Sequence, residues 1–286
     1  MNFTRRNRAL APIGCGLALL LGSLSLPARA AELPFEQPFA FIYTTDIEEE
    51  GEGELEQWLG WKQGHGHNGS RAFQSRTELE YGITDDLQGA LYLNYDWSRS
   101  RHDGQDDRDS FVGVSAEVIY RLLDARKDPI GLALYFEPSW NAKERELEAK
   151  LLLQKNFLNN TLRFAFNINV EDAWDRDEGH WNEGSMLEFR AGLAYVLSPQ
   201  WCLGAELSNE HEFEGLIFGG SSREKTSAYF AGPTLQFASE LITVTLSAQA
   251  QLPWADSPSH ISNALEHGFV AGAERYRVLL RIGTEM

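Results

Sequence analysis

The clearest regularity in the chain is an alternation of apolar and polar positions with a period of two. Leu162, Phe164, Phe166, Ile168 and Val170 alternate with Arg163, Ala165, Asn167, Asn169 and Glu171. Further on, Ile242, Val244, Leu246, Ala248, Ala250 and Leu252 alternate with Thr243, Thr245, Ser247, Gln249 and Gln251. In a third stretch Leu187, Phe189, Ala191, Leu193 and Tyr195 share one face. Successive side chains of an extended strand point to opposite sides, whereas a helix would mix these two sets on one surface. These are strands. The same rule predicts further segments beginning near Gly53, Arg71, Asp86, Ser110, Ile130, Lys143, Thr161, Gly184, Gln200, Thr226, Leu241 and Gly272. Each has roughly the 9–11 residues that a tilted strand needs to cross a bilayer. The apolar segment 39–45 is either an extra strand or a piece folded into the interior, and the pattern leaves both open.

The connections alternate in length. Short turns fall near Asp85 and at 124–129, 158–160, 198–200 and 239–240. Between them lie longer polar stretches at 64–70, 99–109, 174–183, 214–225 and 253–266, with a short exception near Asn141. Short turns on one side and long loops on the other describe an outer-membrane barrel with its long loops outside. A soluble β-sandwich has no need of that asymmetry. The predicted fold is all-β, a single closed antiparallel transmembrane β-barrel of about twelve strands, within a range of roughly ten to fourteen. A cation facing the bilayer midplane costs roughly 2–4 kcal/mol, so the apolar side of each strand must face lipid and Arg163 the interior. Aromatic residues gather near the predicted strand ends: Tyr95, Trp97, Trp140, Trp174, Trp181 and Trp254 towards the outside, and Tyr81, Tyr120, Phe157 and Trp201 towards the periplasm. Amphipathic rings at two levels form interfacial girdles. Pro138 and Pro233 fall within strands, where a missing ladder donor predicts a bulge or a rim position. Glu274 falls on the lipid face of the last strand unless it lies at the interface.

The N-terminus changes the picture. Arg5, Arg6 and Arg8 precede a mostly apolar stretch at 13–26, and Pro27-Ala28-Arg29-Ala30 offers a small-residue cleavage site. Residues 1–30 are therefore predicted to be a signal peptide and residues 31–286 the barrel, exported to the outer membrane of a Gram-negative cell. Cys15 reads as part of the leader. Losing four arginines and no acid takes the formal charge from −17 to −21. Such a surface repels phosphates, which argues against nucleic acid as a partner and favours cations. The expected partners are outer-membrane lipid, lipopolysaccharide and the barrel assembly machinery. Cys202 is the single cysteine after residue 30, so no internal disulfide is possible.

The stretch Arg76-Thr77-Glu78-Leu79-Glu80-Tyr81-Gly82-Ile83-Thr84-Asp85-Asp86-Leu87-Gln88 resembles a strand–turn–strand segment of proteobacterial outer-membrane barrels. Glu54-Leu55-Glu56-Gln57-Trp58 resembles the opening strand of the same porin-like, largely uncharacterised transporter families. The resemblance runs loosely over residues 31–286, and its motifs imply a barrel without specifying an activity. At the C-terminus this chain departs from it, ending in Met286 where such barrels commonly carry an aromatic residue.

The inward face is charged. The candidate pore-lining residues are Glu78, Glu80, Glu117, Glu146, Glu148, Lys150, Arg163, Glu171, Glu188, Arg190, Glu206 and Arg277, with Glu54, Glu56, Glu137, Arg76, Arg121, Arg275 and Arg281 on the same side. An acid excess in a polar pore predicts a channel for small polar or cationic solutes. The alternative is a salt-bridged, non-conducting barrel whose acidic, His-bearing loops bind cations or partners. An interior of about twelve strands lies between those that side chains fill and those that leave a channel. His65-Gly66-His67 is the candidate metal pair, but no further ligand stands at diagnostic spacing, and neither a metal site nor a cofactor is predicted. His102, His180, His211 and His260 also fall in or beside predicted loops. Glu78/Glu80 and Glu146/Glu148 share a face as acid–base pairs would, yet they read better as interior ladders. With no Ser/His/Asp grouping in sight, no catalytic residues are predicted.

Overall fold

The computed structural model describes residues 37–64, 71–99, 108–177, 179–258, 261, 264–271 and 273–286. Twelve long strands close into an antiparallel barrel: β1 (Gly53–Gly64), β2 (Arg71–Thr84), β3 (Leu87–Arg99), β4 (Arg108–Leu123), β5 (Gly131–Trp140), β6 (Glu144–Phe157), β7 (Leu162–Asp177), β8 (His180–Ser198), β9 (Trp201–Glu214), β10 (Arg223–Ala238), β11 (Thr243–Asp256) and β14 (Glu274–Glu285). The connection before the last strand carries a small hairpin, β12 (Leu265–Glu266) and β13 (Phe269–Val270). Every long strand pairs with its neighbour along the chain, and β14 closes on β1 with Trp58 opposite Arg281. Each begins within a few residues of the start that the alternation predicts.

The pleat sorts the side chains as the alternation requires. On β7 Arg163, Ala165, Asn167 and Asn169 are buried inside, while Phe164 points outward. Leu91, Leu93, Leu134, Phe136, Leu193, Leu203 and Leu246 are exposed on the outer wall. A continuous apolar belt of this kind is stable against acyl chains and would associate in water. Tyr81, Tyr120, Phe157 and Trp201 rim its short-turn end, and Tyr95, Trp140, Trp181 and Trp254 its opposite end.

Three expectations need correction. Residues 174–177 and 180–183 are strand and not loop: β7 and β8 remain paired as far as Asp177 opposite His180. Arg145 and Arg176 lie over the Trp181 ring at 5.0 and 6.0 Å from its centroid, so cation–π contacts support that projecting hairpin. Pro138 and Pro233 sit in unshifted register without a bulge. Pairing with β4 lapses between Ser139 and Phe136, and pairing of β10 with β11 lapses between Ala231 and Thr234. On their other flanks Pro138 faces Leu147 and Pro233 faces Ala205. The missing donors thus interrupt one ladder each and leave the other whole. Glu274 does not meet lipid: a register shift at Gly64 opens it towards Lys62, 4.0 Å away.

Turn chemistry fixes the short end. In the turn after β4 the buried Asp124 accepts from the Arg126 backbone N–H at 2.8 Å and pairs with Lys127 at 3.1 Å. Burial alone would raise its pKa, but these bonds and the Arg126 guanidinium hold it down at about 2. A depressed carboxylate stabilises the fold above its unfolded pKa of about 4, and that stabilisation disappears as pH falls through about 2. Asp124→Asn should therefore lower the urea midpoint of the folded barrel at pH 7, with the difference from wild type shrinking in acid.

Candidate functional site in the barrel lumen

Residues 37–50 do not add a strand; of these, residues 37–48 enter the lumen. Phe39, Ala40, Ile42, Tyr43, Thr44, Thr45, Asp46 and Ile47 are all buried. A backbone without ladder partners needs other partners for its polar groups, and inward side chains supply them. Glu206 accepts from the N–H groups of Ala40 and Phe41, both at 3.0 Å. Asn167 accepts from Tyr43 N–H at 2.8 Å and donates to its carbonyl at 2.9 Å. Gln154 accepts from Thr45 N–H at 2.7 Å, and Gln88 from Glu48 N–H at 2.8 Å. Arg190 and Arg281 donate to the carbonyls of Phe41 and Phe39 at 2.7 and 3.1 Å.

Small inward residues make room for the segment. Phe39 and Ile42 pack on Ala165, Ala194 and Cys202, and Tyr43 and Ile47 on Ile119, Ala133, Tyr135 and Leu152. A Cβ at Gly192 would stand 2.6 Å from the Phe39 ring, so only glycine fits that spot on β8. Asp46 pairs with Arg163 at 3.2 Å. At the foot of the segment, outside the strands, burial and repulsion from Glu52, Glu285 and Glu56 push Glu48 up to about 7.

Beyond the segment lies a cavity of about 520 Å³, with Ala40, Phe41 and Tyr43 at its base. Among the twelve candidate residues, Glu146, Glu148, Lys150, Glu171, Glu188, Arg190 and Arg277 line this cavity. Glu78, Glu80, Glu117, Arg163 and Glu206 are buried in the lumen but are not among its lining residues. The cations are committed: Lys150 to Glu148 at 2.9 Å, Arg190 to Glu188 at 2.6 Å, Arg277 to Glu210 at 2.5 Å and Arg76 to Glu137 at 3.3 Å. Asp96, Glu144, Glu146 and Glu171 also line the cavity, and among the described residues none has a cation within ion-pair distance. Acidic side chains therefore outnumber basic ones in the cavity lining. Glu137, Glu148 and Glu171 stand opposite one another across β5, β6 and β7; Arg76 and Lys150 pair with the first two, and Glu171 has no such partner among the described residues.

His65, His67, His102 and His260 lie outside the described residues. His180 is exposed at the tip of the β7–β8 hairpin. Both His211 ring nitrogens are engaged, by Glu224 and Asn209 at 2.7 Å each. Cys202 is buried beside Phe39. Sequence reasoning missed two structural devices. Asp172 binds the N–H groups of Ile217 and Phe218 at 2.8 and 3.0 Å, fastening the β9–β10 connection to the wall. Glu206 anchors the luminal segment instead of facing open space. A buried acid opposite an irregular backbone leaves no periodic signal. The inward glycine and alanines were the available hint.

A closed twelve-stranded antiparallel barrel with an apolar girdle and an ionic interior is the architecture of an outer-membrane β-barrel. Residues 32–285 match a family of unknown function, DUF6662, and the chain belongs to that family. No curated protein matches the sequence. Among solved structures it is similar to the COG4313 outer-membrane channel of Pseudomonas putida F1, with 11% identity and a TM-score of 0.60 over 85% of this chain and 98% of that one. It is also similar to the NanC porin, with 10% identity and a TM-score of 0.52 over 81% of this chain and all of that one. The β domain of the Bordetella autotransporter BrkA has 10% identity and a TM-score of 0.50, over 83% of this chain and all of the other. At such identities the likeness establishes the fold.

Proposed function

We propose that the protein is a porin-like outer-membrane channel for small polar solutes, with a preference for cations, exported by residues 1–30 and constricted by residues 37–48. The observation that carries this reading is the cavity of about 520 Å³ whose bases are paired and whose acids are in excess. A dehydrating solute entering it meets carboxylates that can replace part of its water shell. The apolar outer belt supports the reading that acyl chains and lipopolysaccharide surround the barrel, and its closed ladder is compatible with insertion by the assembly machinery. The rival reading, a non-conducting surface barrel, is favoured by one feature: the luminal segment is bonded on several sides and buries its own apolar residues.

Purified protein in planar bilayers separates the two. A channel of this kind gives discrete conductance steps, and under a KCl gradient its reversal potential has the sign of K⁺ selectivity. Silence at every salt concentration supports the surface barrel, and a reversal potential of the opposite sign removes the cation preference.

A further inference from the structure

A second acidic cluster lies in the lumen but is not among the residues lining the cavity. Like charges directly opposite on neighbouring strands repel. The register of β1 with β2 nevertheless sets Glu56 opposite Glu78 and Glu54 opposite Glu80, all on the lumen side. One carboxylate oxygen from each of Glu56, Glu78 and Glu80 lies within 4.8 Å of the others. Glu78 is 0% exposed, and neither of its oxygens has a hydrogen-bond partner. A buried carboxylate with both oxygens unpartnered carries an uncompensated desolvation cost. Its neighbours are fixed around it. Arg281 holds Glu56 at 2.7 and 2.8 Å, Trp58 donates to Glu56 at 2.6 Å, and Gln88 donates to Glu80 at 2.9 Å. Arg281 pairs with Glu56, and among the described residues no cation lies within ion-pair distance of Glu78 or Glu80.

We propose that Glu56, Glu78 and Glu80 bind one hard divalent cation, of the calcium or magnesium class, inside the barrel. The donor set is all carboxylate oxygen, with neither the imidazole nor the thiolate that zinc and copper favour. Glu48 and Glu54, half-buried, bring further carboxylate oxygens within 4.8 Å of that of Glu80, which gives an ion a stepping route from the inner mouth. The proposal is independent of whether the barrel conducts.

The test uses the full chain, folded in detergent, stripped with a chelator and titrated calorimetrically with CaCl2 and, separately, MgCl2. One saturable ion per chain is expected for at least one of the two. Glu78→Gln should weaken that binding roughly tenfold or more, as loss of a ligand does. Glu240→Gln, in the turn after β10, should leave it unchanged. Glu78→Gln removes a repulsion, so the variant is expected to fold, which the heat-dependent shift of the barrel on gels reports. Glu80→Gln supplies a second ligand deletion should the first misfold. Absence of stoichiometric binding for both salts overturns the site. So does binding that survives both substitutions, which would place the ion among the exposed acidic loops.

Discussion

Deleting residues 32–50, with residues 1–31 kept, should raise single-channel conductance several-fold while the β-sheet circular dichroism stays that of the intact barrel. The barrel closes without the segment: β1 pairs with β14 from Glu54 opposite Glu285 to Lys62 opposite Arg277, and with β2 along its other side. What the deletion removes is filling. Phe39, Ile42, Tyr43 and Ile47 leave the lumen, and water can then reach Glu206, Asn167, Gln154 and Arg163. A twelve-stranded interior lies between the widths that side chains fill and those that leave a channel, so its filling decides whether a hydrated path exists. A gentler change reaches the same result by another route. Gly192→Val places atoms where the Phe39 ring now packs, and should loosen the segment and give a smaller increase. Unchanged conductance in both variants would show that residues 37–48 do not set the constriction.

Arg281→Met should cost about 3–5 kcal/mol of folding stability, the range for removing one partner of a buried pair. Arg281 is buried and binds both Glu56 oxygens, its guanidinium lies 4.4 Å from the centre of the Trp58 ring, and it donates to Phe39 O. It therefore ties the closing strand to β1 and to the luminal segment at one point. The substitution leaves the buried Glu56 without its guanidinium partner, opposite Glu78. Urea unfolding of protein refolded into lipid vesicles reads the loss. Adding Glu56→Gln to Arg281→Met should recover most of it, because the stranded charge accounts for most of the cost. If the double variant is as unstable as the single, the loss comes from packing against Trp58 instead.

The wall of the barrel was legible because its cause is local. Alternation along β7 or β11 is written in successive residues, and so was the choice of lipid face once Arg163 had to avoid the acyl chains. The limit of β7 and β8 was not legible: polar residues above the membrane plane stop alternating, so the paired extension to Asp177 and His180 read as loop. The luminal segment has a different cause. Its bonds join Phe39 to Arg281, Ala40 to Glu206 and Thr45 to Gln154, residues far apart in the chain that only closure brings together. Inward orientation predicted which charges share the interior. It could not separate Glu171 and Arg277, which line the cavity, from Glu78 and Glu117, which do not.

A spin-label scan along positions 162–170 of the protein in lipid vesicles bears most directly on the membrane placement. Labels at Leu162, Phe164, Phe166, Ile168 and Val170 should relax faster with oxygen, which dissolves in acyl chains, and those at the alternate positions should not. Absence of alternation, or oxygen access strongest at positions 163, 165, 167 and 169, would contradict a barrel whose apolar wall meets lipid.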